Sequence, residues 1–372
     1  MTLVVNTPLT CRHRSERMNF NSPILKFTLC LFVLFFGLWL VRDTSLPVAH
    51  RPAELKLEGR TMGTTYHIVL ADLEGDATLA ELQALVDTRL EQINQMMSTY
   101  LPDSELSQFN QARSTDWIDV PAELYALIER AQQFSTITNG AFDITVGPAV
   151  NLWQFGPRDI TQQRTLPEDT EVTDALSVIG FQHLHLHPDR TALRKEFSEL
   201  YVDLSAIAKG YAVDQIVELL SDYPIGSGCM VEIGGEVGTV GVRLDGSAWK
   251  IGIQAPDSLP GTLTARIDLS DTSMATSGDY FNFFQVDGNR YSHTIDPTTA
   301  RPVTHKLTST VVVTENCADA DAWATALLVM GPVQAYDIAR QHDLAVMLFS
   351  RNDTKITSQQ SPAFEKVITQ EK

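Results

Sequence analysis

Basic residues are scarce in this sequence: 28 Lys and Arg stand against 46 Asp and Glu, a formal net charge of −18 over 372 residues. That balance opposes binding to a nucleic-acid backbone and excludes DNA and RNA as expected partners. It also repels anionic nucleotides, so a phosphate-bearing ligand would need a local cation, either a metal or a well-placed Lys. Cysteine is scarce as well. Cys11 and Cys30 lie near the N-terminus, leaving Cys229 and Cys317 in the body, which leaves room for one disulfide without implying it. Between residues 51 and 364 there is no internal repeat, low-complexity stretch or long linker. The body therefore reads as one large domain, 51–364, followed by a short C-terminal tail at 365–372.

The one long uncharged apolar run is FTLCLFVLFFGLWLV at 27–41, preceded by Arg12, Arg14, Arg17 and Lys26 and followed by Arg42. It is shorter than the roughly 20 residues of a spanning helix, although Ile24 and Leu25 lengthen it if Lys26 snorkels. An uncleaved signal anchor and a signal-peptide apolar region both remain open, but cleavage after Ala49 looks poor. Cys30 follows Leu29 near the start of the run, which disfavours lipidation. The Arg excess before the run predicts a cytoplasmic tail in residues 1–50, an anchor in the inner membrane and a body in the periplasm.

Helical spacing of Leu79, Leu82, Val86, Leu90, Ile93 and Met97 predicts a helix over 78–97. A second begins near Pro121 and stops around Asn139-Gly140. A third follows Ser205 and runs to Leu220. Short β-rich segments at 231–243, 249–253, 264–270, 280–286, 291–295 and 307–313 read as strands, followed by helices at 318–330 and 333–341. Residues 158 to 175, rich in Asp, Thr and Gln, read as an exposed excursion. The fold class expected is α+β, with mixed, largely antiparallel sheets and packed helices.

Three clusters carry chemistry. In VDLSAIAKGYAVD (202–214), Asp203 precedes a helix start and Lys209 follows with small residues between, an arrangement suited to phosphate. An ordinary helix entrance with Ser205 as its cap explains the same residues. In NCADADAWATALLVMG (316–331), Asp321 and Thr325 share a helix face, where a carboxylate and a hydroxyl can meet one hard cation, whereas Asp319 lies off that face. Acidic residues at a helix start are the plainer explanation. In 276–303, two aromatic strands meet across Asp287-Gly288, with His293 near the end of the second and Asp296-Pro297 turning after it. A strand histidine is more often a structural hydrogen-bonding residue. His183, His185 and His187 alternate along one strand but lack further ligands nearby, and Tyr100 serves either packing or stacking on a flat ring.

The ordered series TMGTTY, MSTY, NGAFDITVGP, VDLSAIAKGYAVD, VEIGGEV, WKIGIQAPD, ATSGDYFNFF, YSHTIDPTTARPV and ADAWATAL, spanning residues 60 to 331, resembles the ApbE family of FAD:protein FMN transferases. The resemblance implies FAD contacts from Met62, Tyr100, Ala141, Phe142, Asp143, Asp203, Lys209 and the backbone near Ile295. It implies Mg2+ held by Asp321, Thr325 and the carbonyl of Ala206, with the Ala324 carbonyl as a further candidate. It also implies a role for His293 at the reacting centre. The expected activity is Mg2+-dependent cleavage of FAD, release of AMP and attachment of FMN to a Thr or Ser of a target protein. An FAD pyrophosphatase releasing free FMN and AMP, or a non-catalytic flavin carrier, would use the same pocket. Many family members are lipoproteins, whereas this chain looks signal-anchored.

Overall fold

Strand Leu307–Thr314 has alternate residues in two different cores: Val312 on one face, Val311 and Val313 on the other. Its neighbours repeat the division. Ala275, Val346 and Leu348 face the first core, and Met274, Met347 and Phe349 the second. Because side chains alternate across a strand, this pattern requires a sheet covered on both sides. In the computed structural model the sheet has eight strands, placed across it in their order along the chain: Leu55–Thr61, Thr64–Leu70, Gly228–Ile233, Glu236–Gly241, Ser273–Gly278, Leu307–Thr314, Ala345–Asn352 and Lys355–Gln360. All its pairings are antiparallel. The structure describes residues 53–74, 77–157, 164–256, 262–279, 282–352 and 355–368.

Helices Leu79–Met97, Ala208–Ser221 and Cys317–Met330 contribute to the first core, and the two-stranded ribbon Trp249–Gln254 with Leu263–Leu269 contributes Trp249, Ile251, Ile253, Ile267 and Leu269 to the second. The first helix starts at a capping box, in which Thr78 Oγ1 accepts from Glu81 N–H and the Glu81 carboxylate accepts from Thr78 N–H. Helix Cys317–Met330 is buried nearly all round. Burial of roughly 1.5–3 kcal/mol per large apolar side chain, and not an amphipathic stripe, fixes its place between the sheet and helix Ala208–Ser221. A third, smaller cluster gathers Trp153, Phe155, Val172 and Ile295 with Phe284 and Tyr291 packed on it.

Several sequence expectations shift. The stretch expected as one strand at 231–243 is a hairpin, because Gly234 and Gly235 at φ 60° and 105° turn the chain between its halves. The third helix starts at Ala208, and Ser205 is not its cap: Ser205 N–H donates to Asp203 Oδ1 at 2.8 Å in a local turn. Within the expected excursion at 158 to 175, Asp169–Leu176 opens a helix that buries Val172, while 158–163 lie outside the described residues. Cys229 and Cys317 are both buried free thiols. The expected anchor at 27–41 also lies outside the described residues, and among those described no helix is long and apolar enough to cross a membrane.

Candidate active site

Gly210 is where the two central helices meet. A Cβ there would collide with the Cys317 carbonyl oxygen, so only glycine permits this approach. The Gly210 N–H donates across the contact to Asp321 Oδ2 at 3.0 Å. Because that amide is turned to Asp321, the first turn of the helix does not close on the Ala206 carbonyl. A second carboxylate braces the same contact further along, since Asp214 accepts the Cys317 and Ala318 amides at 2.6 and 2.9 Å. Burial pushes the Asp214 pKa up to about 6 against the pull of those amides.

Next to Gly210, the Lys209 ammonium lies 2.8 Å from Glu236 Oε1 and 3.7 Å from Asp321 Oδ1. Both carboxylates are 2% exposed. Burial works against the Lys209 charge, but Asp321 and Glu236 more than reverse this and hold its pKa above the ordinary lysine range. Burial pushes the Glu236 pKa up to about 8 against the pull of Lys209, with the Asp321 charge adding to the rise, and a further cation beside the two carboxyl groups would oppose that shift. Thr325 lies one helical turn beyond Asp321, its hydroxyl 3.1 Å from that of Ser277. The Ala324 carbonyl already accepts the Thr310 hydroxyl at 2.7 Å. Among the described residues no three His, Cys, Asp or Glu side chains converge to hold a metal. A carboxylate and a hydroxyl on one helix face, Asp321 and Thr325, are oxygen donors of the kind a hard divalent cation takes.

His293 joins this cluster from the small hairpin Phe283–Val286/Asn289–Ser292. Its Nδ1 lies 2.9 Å from the Asn282 carbonyl oxygen, an acceptor only, so Nδ1 carries the proton and Nε2 of the neutral ring is left to accept one. Burial lowers the His293 pKa. The Asn282 carbonyl opposes the shift, and the positive charges of Lys209 and Arg290 add to it. The ring of Phe155 stands edge-on to His293 at 6.3 Å between centroids, and the Phe155 carbonyl accepts the Tyr100 hydroxyl at 3.1 Å. Tyr100 is 65% exposed, an aromatic face open to a flat ligand, while partial burial of its hydroxyl, with the Asp203 charge adding, raises its pKa.

The remaining candidates divide. Asp203 N–H donates to the Ile144 carbonyl at 2.7 Å, which lays 141–146 beside 201–203. Phe142 is buried against Phe134, and Asp143 accepts Thr145 N–H, Thr145 Oγ1 and Phe181 N–H, so these two side chains are spent inside the protein. That stretch can offer a ligand its backbone and the Ala141 methyl. Met62, at φ 49°, occupies the two-residue turn between the first two strands with Gly63, and the preceding Thr61 Oγ1 accepts from Asn94 Nδ2 at 3.0 Å. Ile295 is buried in a short pairing with Pro302, and Asp296 is spent on the turn through Thr298 and Ala300. His183 and His185 both lie toward Glu196, at 2.9 and 3.7 Å, while His187 packs on Trp117.

A family model described as the ApbE family matches residues 62–348. The chain belongs to the ApbE family. A Vibrio cholerae protein named FAD:protein FMN transferase is 39% identical over 335 residues, covering 89% of this chain and 99% of its own length. An Escherichia coli K12 protein of the same name is 35% identical, covering 85% and 90%. Among solved structures, the flavin transferase ApbE from Vibrio cholerae superposes with a TM-score of 0.78 at 38% identity, covering 85% of this chain and all of that one. The ApbE protein of Thermotoga maritima gives 0.77 at 26% identity. These ApbE structures share the mixed, mostly antiparallel α+β architecture. Sequence reasoning missed Glu236, which lies within VEIGGEV but drew no assignment. The available signal was an acidic residue opening an otherwise uncharged strand.

Proposed function

We propose that this ApbE-family protein is an FAD:protein FMN transferase that cleaves FAD between its phosphates and attaches FMN to a Thr or Ser of a partner protein. The observation that supports this reading best is that Lys209, held against Asp321 on the Asp321–Thr325 helix, lies near enough to His293 for its charge to act on the ring, whose Nε2 meets no hydrogen-bond partner among the described residues. In the reaction the acceptor oxygen bonds to the phosphorus of the FMN half, the P–O bond to the AMP half breaks, and AMP leaves with the bonding electrons. His293 Nε2 takes the hydroxyl proton, and Lys209 offsets the charge developing on the departing phosphate. Asp321, Thr325 and the Ala206 carbonyl would hold Mg2+, which when bound supplies charge neutralisation at the phosphoryl oxygens. Tyr100 offers the flavin ring a stacking surface.

Incubation of the protein with FAD, Mg2+ and a candidate target, followed by a denaturing gel viewed for flavin fluorescence, tests the reading. The expected result is a fluorescent target band with stoichiometric AMP, lost on chelation. Free FMN and AMP with no labelled target would make the protein a pyrophosphatase instead. For location, the run at 27–41 supports an inner-membrane anchor with the body in the periplasm. Fractionation should find the full-length protein with membranes, and recovery wholly in the cytosol would overturn that placement.

A further inference from the structure

Glu236 has no part in the proposed reaction beyond helping to hold Lys209 charged, yet of the two carboxylates it makes the shorter contact to the ammonium. Its Oε1 lies 2.8 Å from the ammonium, against 3.7 Å for Asp321 Oδ1. Its Oε2 is buried and meets no hydrogen-bond partner among the described residues. The strand that carries it begins straight after the Gly234-Gly235 turn, and the side chain is buried where it reaches Lys209. Asp321 is anchored by contrast through Oδ2, on the Gly210 amide, which leaves Oδ1 as the oxygen exposed to rivalry between the ammonium and any other cation.

A Lys ammonium close to a lone buried carboxylate collapses onto it, because the attraction grows steeply at low dielectric. We propose that Glu236 is a positioning residue that draws Lys209 aside from Asp321 and so keeps Asp321 Oδ1 open to a divalent cation. The proposal rests on the cation reading of the Asp321–Thr325 face. Glu236 acts through the lysine, and its effect on cation binding depends on the lysine being present. A charge acting only through space would weaken cation binding equally whether or not Lys209 is there.

The test is a double-mutant cycle read as Mn2+ affinity of the full-length protein without FAD, by calorimetry, on wild type, Glu236→Gln, Lys209→Met and the double variant. Glu236→Gln is expected to cost at least tenfold more affinity beside Lys209 than in the Lys209→Met background. Equal losses in both backgrounds would overturn the proposal. Should Glu236→Gln fail to fold, Glu236→Asp gives an independent reading, since it keeps the carboxyl group and shortens the reach. It should weaken Mn2+ binding severalfold with Lys209 present and leave it unchanged in Lys209→Met, whereas wild-type affinity in both backgrounds would overturn the proposal. Asp321→Ala separates the two ideas. If it binds Mn2+ like wild type, the cation reading fails. If it loses Mn2+ while the cycle shows no coupling, only the role of Glu236 fails.

Discussion

Two lysines have their ammonium groups held by protein oxygens, Lys195 fully buried and Lys209 partly exposed, and their surroundings send them opposite ways. Lys195 is fully buried, and its ammonium donates to the carbonyls of Phe109, Asn110, Ala112 and Ser198 at 3.2, 3.3, 2.5 and 3.3 Å. Burial pushes its pKa down to about 8, Arg113 adds to the shift and Glu199 opposes it. Lys209 also suffers from burial, but Asp321 and Glu236 turn the balance and hold it charged. Carbonyl dipoles satisfy an ammonium's hydrogen bonds without restoring the lost solvation of its charge, whereas carboxylates restore it. Lys195 therefore closes the C-terminal end of helix Glu105–Gln111, and Lys209 keeps a full positive charge available to a ligand.

The largest effect that would break this contrast is on transfer. Lys209→Met should lower FMN transfer about 10³-fold, the scale of losing a preorganised charge beside a developing one. Transfer rate and melting temperature in Mg2+ measured on the same preparation decide it, because a lysine with only a scaffolding role would lose stability first and keep its rate below the melt.

Second in size is His293→Ala, expected to cost transfer about 10²-fold with FAD affinity changed by only a few-fold. Its pH dependence sharpens the point. Nε2 accepts a proton only on the neutral ring, and burial with the Lys209 and Arg290 charges lowers the His293 pKa below its ordinary 6.5. The rate should thus hold as pH falls to 6.5 and drop only on further acidification. An acidic limb of kcat/KM centred above 6.5 would mean that another group is titrating or that the ring is not the base.

How much of this was legible in the sequence follows from what each residue needs nearby. The helix Leu79–Met97 was readable because its apolar period and its Thr78–Glu81 box are local. Asp321 and Thr325 were readable as candidates through their spacing on one helix, and Lys209 through its place at the entrance of another, just after Asp203. Strand Ser273–Gly278 was not, since SMATSG offers only Thr276 among the branched and aromatic residues that mark strands, and only pairing on both sides places it mid-sheet. The strands Ala345–Asn352 and Lys355–Gln360 were passed over behind the last helices. Glu236 was hidden more deeply, because a glutamate after two glycines reads as the flank of a solvated turn. Its partner stands on a helix from another part of the chain, so only the folded arrangement reveals it.

Next in size is Lys195→Met, which returns to the opening contrast. It leaves buried carbonyls unpaired and should destabilise the fold by about 1–3 kcal/mol, with transfer well below the melt within about twofold of wild type. The sign of its pH dependence is opposite to that of a stabilising lysine. Between pH 8 and 10.5 the unfolded chain still holds the proton that the folded chain has released, so wild-type stability rises with pH across that window relative to Lys195→Met. Melting curves of both proteins at pH 7.5 and about pH 10 check it. A gap between them that fails to change in the wild type's favour would remove the depressed lysine from the account.

The smallest effect is expected at Asp319, and it gains meaning from the contrast with Asp321 two residues on. Asp319 accepts from Arg130 Nε at 2.7 Å in a partly exposed pair, while Asp321 is buried between Gly210 and Lys209. Exposed pairs contribute up to roughly 1 kcal/mol, so Asp319→Ala should lower stability by no more than that and leave AMP release within about threefold. Asp321→Ala should stop AMP release even in excess Mg2+, and Thr325→Ala, which removes only a neutral oxygen, should recover part of its activity as Mg2+ is raised. Both aspartates belong to one acidic helix start, so an explanation by helix dipole alone predicts matched losses. AMP release and melting temperature measured on all three variants separate the cases. Losses of activity at Asp319 and Asp321 that are equal and track lost stability would return Asp321 to a structural role, and the cation face with it.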